Sequence, residues 1–197
     1  MNKPQKHSLI AAAIILVIVV VAVLVRTGVF NSRYTVADMI SNYNERHAAF
    51  NALQAYTDSL VPADYQVKLE FKNAGELNVF NITAPDLRKR NRELEISSKQ
   101  TADLLKKLGW TRKTLSTLKE KLDSAGCISI ESGDPLTVGF RHSGDATYNY
   151  KLFRQELSDS TKKEFHDGCR YILFNEHTAL EFIPGSIGPD CFESAKK

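Results

Sequence analysis

The most apolar stretch of the chain lies near its start, where Leu9–Val25 contains seventeen consecutive apolar residues without a charge, a proline or a glycine. As a helix rising about 1.5 Å per residue, it reaches roughly 25 Å, near the lower limit for crossing a bilayer. A cleaved signal peptide would end in small residues, but branched residues precede Arg26. A helix that is apolar all round would need a large protein to bury it. We therefore predict an uncleaved transmembrane anchor in the lipid bilayer.

The charges beside this anchor set its predicted orientation. Lys3 and Lys6 precede it and Arg26 and Arg33 follow it, so the positive charges give a slight bias only. A tail of eight residues before a long C-terminal region favours a single-pass signal anchor with a cytoplasmic N-terminus, and the inverted topology stays open. The predicted organisation is a cytoplasmic tail at 1–8, the anchor at 9–25, a juxtamembrane linker at 26–34 and an extracytoplasmic domain at 35–197.

Apolar positions then recur with a helical period from Thr35 to Leu60. Thr35 suits the N-cap, and Asp38 three residues later makes a weaker version of a capping box. We expect the apolar face to pack against a sheet; the alternative is the seam of a parallel homodimer through 35–60. His47 on this face is expected to be a partly buried histidine rather than a ligand. The face consists of Val36, Met39, Tyr43, His47, Phe50, Thr57 and Leu60.

The next region changes from a helical period to strict alternation. Apolar and polar residues alternate in Gln66–Lys72, which is the period of a half-buried strand. Leu77–Thr83 is predicted as the returning strand of a hairpin. Asp86–Glu95 is highly charged and has few apolar residues. We therefore predict an exposed helix or loop there.

The second half of the chain contains two helices followed by a strand-rich region. Strands at hairpin spacing with helices between them indicate an α+β fold, in which helices cover a mainly antiparallel sheet. The predicted elements are helices at Lys99–Leu108 and Thr111–Ala125, a strand at Cys127–Ile130, a hairpin of Leu136–His142 and Thr147–Phe153, a helix at Ser158–Asp167 and a hairpin of Arg170–Asn175 and Thr178–Ile183.

The segment Lys99–Ile130 has a helix, a turn at Gly109, a second helix capped by Thr111 and a short strand. This order resembles the winged-helix group of DNA-binding domains over about forty residues, with the strand at Leu136 as part of a wing. The resemblance implies that Arg112, Lys113 and Lys119 would contact phosphates. The alternative is an antiparallel helix pair that covers one face of the sheet.

Charge is unevenly distributed along the chain. Residues 88–121 carry eleven Lys or Arg and four Asp or Glu, a net charge of +7, whereas residues 122–197 have a net charge of −4. Solvated helix faces or two mutually attracting halves would explain this pattern, but it also predicts a surface for an anionic partner, such as lipid headgroups, surface polysaccharide or, less favoured, nucleic acid. The predicted surface consists of Arg88, Lys89, Arg90, Arg92, Lys106, Lys107, Arg112 and Lys113.

The three cysteines are too few for a disulfide-dense scaffold. In an exported domain we predict a Cys169–Cys191 disulfide, with Cys127 as a small buried residue. The weaker alternatives are a zinc site that combines these two cysteines with His166 and His177, and a Cys169–His166 nucleophile–base pair.

No sequence motif for nucleotide binding, metal-dependent hydrolysis or serine catalysis occurs, so neither an enzymatic activity nor a cofactor is predicted. The expected function is that of a membrane-anchored extracytoplasmic protein, a non-catalytic binding or envelope accessory module. Its expected partner is an envelope protein or an anionic surface. The alternative is a membrane-tethered DNA-binding regulator that uses 99–130, and an enzyme ranks third.

Overall fold

The computed structural model of the chain describes residues 33–192. The chain divides into two units, Met1–Arg33 and Tyr34–Lys197. The predicted anchor Leu9–Val25 lies outside the described residues. Among residues 33–192, no helix combines the length and the apolar character needed to cross a bilayer.

The described domain is an α+β fold, as the spacing of strands and helices predicts. Its strands, nine within residues 33–192, form a single sheet in the order β3-β2-β1-β5-β6-β7-β9-β8, with β4 also paired to β2. All of these pairings are antiparallel. The strands are β1 (Gln66–Phe71), β2 (Glu76–Ala84), β3 (Leu87–Lys89), β4 (Arg92–Glu95), β5 (Ser129–Glu131), β6 (Leu136–Ser143), β7 (Ala146–Leu152), β8 (Tyr171–Asn175) and β9 (Thr178–Ile183).

Two helices begin at the capping residues that the sequence analysis names, Thr35 and Thr111. The Thr35 hydroxyl accepts a hydrogen bond from the Asp38 N–H, and the Asp38 carboxylate accepts one from the Thr35 N–H. Thr111 and Thr114 make the corresponding reciprocal pair. The described helices are α1 (Val36–Glu45), α2 (His47–Leu60), α3 (Lys99–Leu108), α4 (Arg112–Ser124) and α5 (Asp159–Glu164).

The prediction of a single helix over Thr35–Leu60 is wrong in one respect, because the helix is interrupted at Arg46. The N–H of Arg46 bonds to the carbonyls of both Asn42 and Tyr43, and its φ and ψ of −122° and 19° end one helix and start the next. Most of the apolar face packs in the core of the domain, where Met39, Tyr43, Phe50 and Leu53 are buried, whereas Val36 and Leu60 are half-buried. The homodimer seam through 35–60 stays a prediction.

The first four helices lie on one face of the sheet, where they share a hydrophobic core with its strands. Tyr150 of β7 is fully buried, and its hydroxyl donates to the carbonyl of Met39, 2.9 Å away. Its ring lies edge-on to Phe50, with centroids 4.8 Å apart. At the other end of the sheet, Trp110 stacks on Phe80.

The opposite face of the sheet carries mostly polar side chains, because strand residues alternate between faces. At the β8–β9 end, a smaller cluster that includes Phe153, Leu157 and Phe165 covers part of this face. Toward β1 and β2, no helix of the described chain packs on it. The candidate site lies in this uncovered region.

Candidate functional site

The floor of the site is formed by the polar positions of β1, β2 and β5. The register pairs Gln66 with Thr83 and Lys68 with Asn81, so these four side chains share the uncovered face. On the other side of β1, Lys68 pairs with Glu131. The alternation of apolar and polar residues assigns Gln66 and Lys68 to the solvent face of a strand. The strand register adds their cross-strand neighbours, which that alternation does not reveal.

One wall is the edge segment made by β3, residues 90–91 and β4, called here the ribbon, where the prediction of an exposed helix or loop is wrong. Both strands pair with β2, and the register places Arg88 beside Thr83 and Arg92 beside Val79. Arg90 lies in the short irregular stretch between the two strands. Only Leu87 and Leu94 of the two strands pack on the core, so the sequence lacks the regular alternation of a half-buried strand.

Asn91 holds this ribbon against the rest of the domain. Its backbone N–H donates to Asn81 Oδ1, and its side-chain amide donates to the carbonyl of Phe80 at 3.0 Å. Its Oδ1 accepts from Gln100 Nε2 of α3, also at 3.0 Å. The arginines on either side of Asn91 are therefore carried by a segment with fixed contacts to β2 and α3.

Together these elements enclose a recess of about 530 Å³, called here the basic recess. Within residues 33–192, the guanidinium groups of Arg88, Arg90 and Arg92 make no hydrogen bond or ion pair. The acidic residue of the lining, Glu131, is 2.8 Å from Lys68 Nζ. The recess thus combines four cations with one carboxylate, and three of those cations are not ion-paired by any described residue. The lining residues are Gln66, Lys68, Asn81, Thr83, Arg88, Arg90, Arg92 and Glu131.

The other residues of the predicted anionic-partner surface lie elsewhere. Lys89 is exposed at the sheet edge, on the opposite side of β3 from the recess. Lys106 and Lys107 occupy the last turn of α3, where cations favour the helix dipole. At the start of α4, Arg112 donates to the carbonyl of Ser97 at 2.7 Å, and Lys113 is exposed beside it. The structure therefore brings three of the eight predicted residues together in the recess.

The helix pair α3–α4 covers the sheet, as the alternative to the winged-helix resemblance expects. Gly109 adopts a left-handed φ of 67° in the turn, and Trp110 Nε1 donates to the carbonyl of Leu60. The expected wing does not form within residues 129–143, because β5 is paired on both sides, with β1 and with β6. Arg112 and Lys113 remain on the outer surface of the pair.

A second cavity, of about 730 Å³, lies between α2, the end of β7 and the β8–β9 turn, and is called here the cleft. Asp58 and Arg154 form a bidentate ion pair across it, with Oδ1–Nη2 and Oδ2–Nε distances of 2.7 and 3.1 Å. The hydrogen bond to Asp58 raises the pKa of Arg154. His47 and His177 also line the cleft, and His47 is exposed rather than partly buried as expected.

The sulfur atoms of Cys169 and Cys191 are bonded in the structure, with an S–S distance of 1.97 Å and Cα atoms 4.5 Å apart. Next to them, Phe192 is buried, and its N–H donates to the carbonyl of Cys169. Cys127 is a free thiol whose pKa burial raises to about 12. It is therefore a small buried residue rather than a reactive one.

The residues of the considered zinc site do not come together in the described part of the chain, where no group of three or more potential ligands is found. His166 Nδ1 instead accepts a hydrogen bond from the N–H of Leu173 on the edge strand β8. Asp167 Oδ1 accepts from three further backbone N–H groups. Both side chains close an otherwise unpaired strand edge.

Comparison with known proteins identifies no relative: no family model, no curated protein and no solved structure matches this chain.

Proposed function

We propose that this chain is a single-pass membrane-anchored extracytoplasmic binding module, non-catalytic, which holds an anionic polysaccharide of the cell envelope in the basic recess. Anchoring rests on the apolar run Leu9–Val25, which lies outside the described residues. Export is the orientation that the sequence analysis predicts for this anchor.

One observation carries the binding proposal: Arg88, Arg90 and Arg92 border the same recess and have no partner within residues 33–192. An arginine guanidinium is planar, always charged and suited to bidentate bonds with carboxylate or phosphate groups. Three of them on one wall of a recess create a local positive potential that attracts an oxyanion. The hydrogen bonds of Asn91 fix the wall before the ligand arrives, which lowers the entropic cost of binding.

The test uses the full chain in nanodiscs of neutral phosphatidylcholine and a fluorescent hyaluronan tetrasaccharide as the probe. We expect the triple variant R88Q/R90Q/R92Q to bind at least about tenfold more weakly, because each charge-assisted hydrogen bond contributes about 1.5–3 kcal/mol before desolvation costs. The matched control K106Q/K107Q/K113Q removes the same charge at the helix pair and should change affinity less than about twofold. Equal losses in the two variants would overturn the proposal, and so would an unchanged affinity in the first.

A membrane-tethered DNA-binding regulator is the second candidate, favoured by the exposed Lys106, Lys107 and Lys113 beside the Thr111-capped helix. The same two variants discriminate between the candidates. If duplex DNA binds the full chain and K106Q/K107Q/K113Q abolishes that binding, the regulator is supported. If duplex DNA fails to bind at physiological salt, the regulator is excluded.

A further inference from the structure

We infer that the basic recess and the cleft are the two ends of one groove, and that its ligand is a linear saccharide chain with anionic groups on some units and neutral units between them. This inference rests on the proposed function and extends it to the length and chemistry of the ligand.

Shared lining residues connect the two cavities through a third, of about 460 Å³. Gln66 lines both the basic recess and this middle cavity. Asp58 and Arg154 line both the middle cavity and the cleft. Each cavity alone has the size of a small-molecule site, and together they follow the end of the sheet where β1 begins and β7 ends.

The middle cavity offers an aromatic ring and fixed polar groups. Tyr65 is half-buried, so one part of its ring is available to pack against the apolar face of a sugar. Ser132 Oγ accepts a hydrogen bond from the N–H of Val67, and Asp134 Oδ1 accepts one from the N–H of Arg154. These bonds tie the β5–β6 connection to β1 and to the segment after β7.

The cleft has the chemistry of a site for neutral hydroxyl and amide groups. Its walls carry the side-chain amides of Asn51, Gln54 and Asn175, which both donate and accept hydrogen bonds. The cation of the cleft, Arg154, is already paired with Asp58. An anionic group entering the cleft would therefore find no free arginine or lysine among its lining residues.

This difference between the two ends selects the class of polymer. A nucleic acid carries a phosphate on every nucleotide and would bring uncompensated negative charge into the cleft. A polysaccharide that alternates acidic and neutral sugars can place a carboxylate in the basic recess and hydroxyl or acetamide groups in the cleft. A single lipid headgroup would occupy the recess alone.

The experiment measures the affinity of the full chain, in phosphatidylcholine nanodiscs, for hyaluronan oligosaccharides of two to ten sugars. Linked subsites raise affinity once the ligand is long enough to span them. We expect at least a tenfold gain from disaccharide to decasaccharide. The double variant N51A/Q54A should remove most of this gain. The matched control Asn44→Ala, an exposed asparagine on α1 outside all three cavities, should retain the gain.

The experiment distinguishes an error in the groove inference from an error in the proposed function of the basic recess. Binding that depends on Arg88, Arg90 and Arg92 but does not increase with length would overturn the groove and leave the proposed function intact. Absence of binding at every length would overturn both. A polyphosphate of equal charge that shows the same length-dependent gain, with the same loss in N51A/Q54A, would overturn the assignment to a saccharide.

Discussion

Lys68 Nζ and Glu131 Oε2 lie 2.8 Å apart on the neighbouring strands β1 and β5, at the floor of the basic recess. This contact occupies the acidic residue of the recess, and within residues 33–192 Arg88, Arg90 and Arg92 have no other carboxylate as an ion-pair partner. Glu131 therefore neutralises only part of the positive charge that lines the recess.

Replacing Glu131 tests this relationship directly. The substitution Glu131→Gln frees the Lys68 ammonium and removes the negative charge, so we expect the affinity for a hyaluronan tetrasaccharide to rise about two- to fivefold. Both side chains are about half exposed, and the free energy of unfolding should change by less than about 1 kcal/mol. A reduced affinity, measured by fluorescence anisotropy, would show that Glu131 contacts the ligand rather than opposing it.

The pair Glu70–His142 on the same face should make stability depend on pH. His142 Nε2 is 3.2 Å from Glu70 Oε1. This hydrogen bond raises the pKa of His142 above 6.5. Burial alone would raise the pKa of Glu70, but hydrogen bonds from His142 and Asn78 outweigh it and hold that pKa below 4.5.

The sign of the effect follows from these directions. The contribution of His142 to folding stability is fully present below the pKa of the unfolded state and is lost as pH rises through the raised pKa of the folded state. The contribution of Glu70 is lost as pH falls through its lowered pKa in the folded state. We expect His142→Gln to cost more stability at pH 5.5 than at pH 8.5, by up to about 1 kcal/mol after solvent screening. Urea unfolding of the wild type, His142→Gln, Glu70→Gln and the double variant H142Q/E70Q measures the coupling between the two side chains. An equal coupling energy between Glu70 and His142 at pH 5.5 and pH 8.5 would contradict this pH dependence.

The Cys169–Cys191 bond should be detectable by non-reducing peptide mapping as a single linked pair. It closes a sequence separation of 22 residues, for which chain entropy gives about 3 kcal/mol of stabilisation. The variant C169S/C191S should therefore unfold at a lower urea concentration, and its free energy of unfolding should be lower by about 3 kcal/mol. The control Cys127→Ala should leave the mapped linkage unchanged. Two free thiols at 169 and 191 in protein isolated without reductant would refute the pairing.

Topology is testable with a cysteine placed on an exposed helix position. In a Cys127→Ala background, the substitution Ser116→Cys on α4 should react with a membrane-impermeant maleimide in intact cells if the domain is exported. The matched variant Ser8→Cys, on the predicted cytoplasmic tail, should react only after lysis. The reverse pattern would place the domain in the cytoplasm and favour the DNA-binding alternative.

Local signals in the sequence predict most of the helices and strands. The capping residues Thr35 and Thr111 mark helix starts, and Gly109 ends a helix because it adopts a positive φ. The break at Arg46 carries no such signal, since neither proline nor glycine occurs nearby. There the Arg46 N–H bonds to the carbonyls of both Asn42 and Tyr43.

The candidate site is only partly predictable for a different reason. Arg88, Arg90 and Arg92 lie close together in sequence, so composition alone identifies the basic wall. The other sides depend on contacts between distant segments: Lys68 and Glu131 at the floor of the recess are 63 residues apart. Strand register and tertiary packing create those contacts, and the spacing of apolar residues along one segment does not reveal them.

A structure of the full chain bound to a hyaluronan decasaccharide tests the central claim most directly. We expect one sugar carboxylate to lie about 2.7–2.9 Å from guanidinium nitrogens of at least two of Arg88, Arg90 and Arg92, with the chain continuing past Gln66 toward Arg154. A decasaccharide seated beside Lys106 and Lys113, with the basic recess unoccupied, would contradict it.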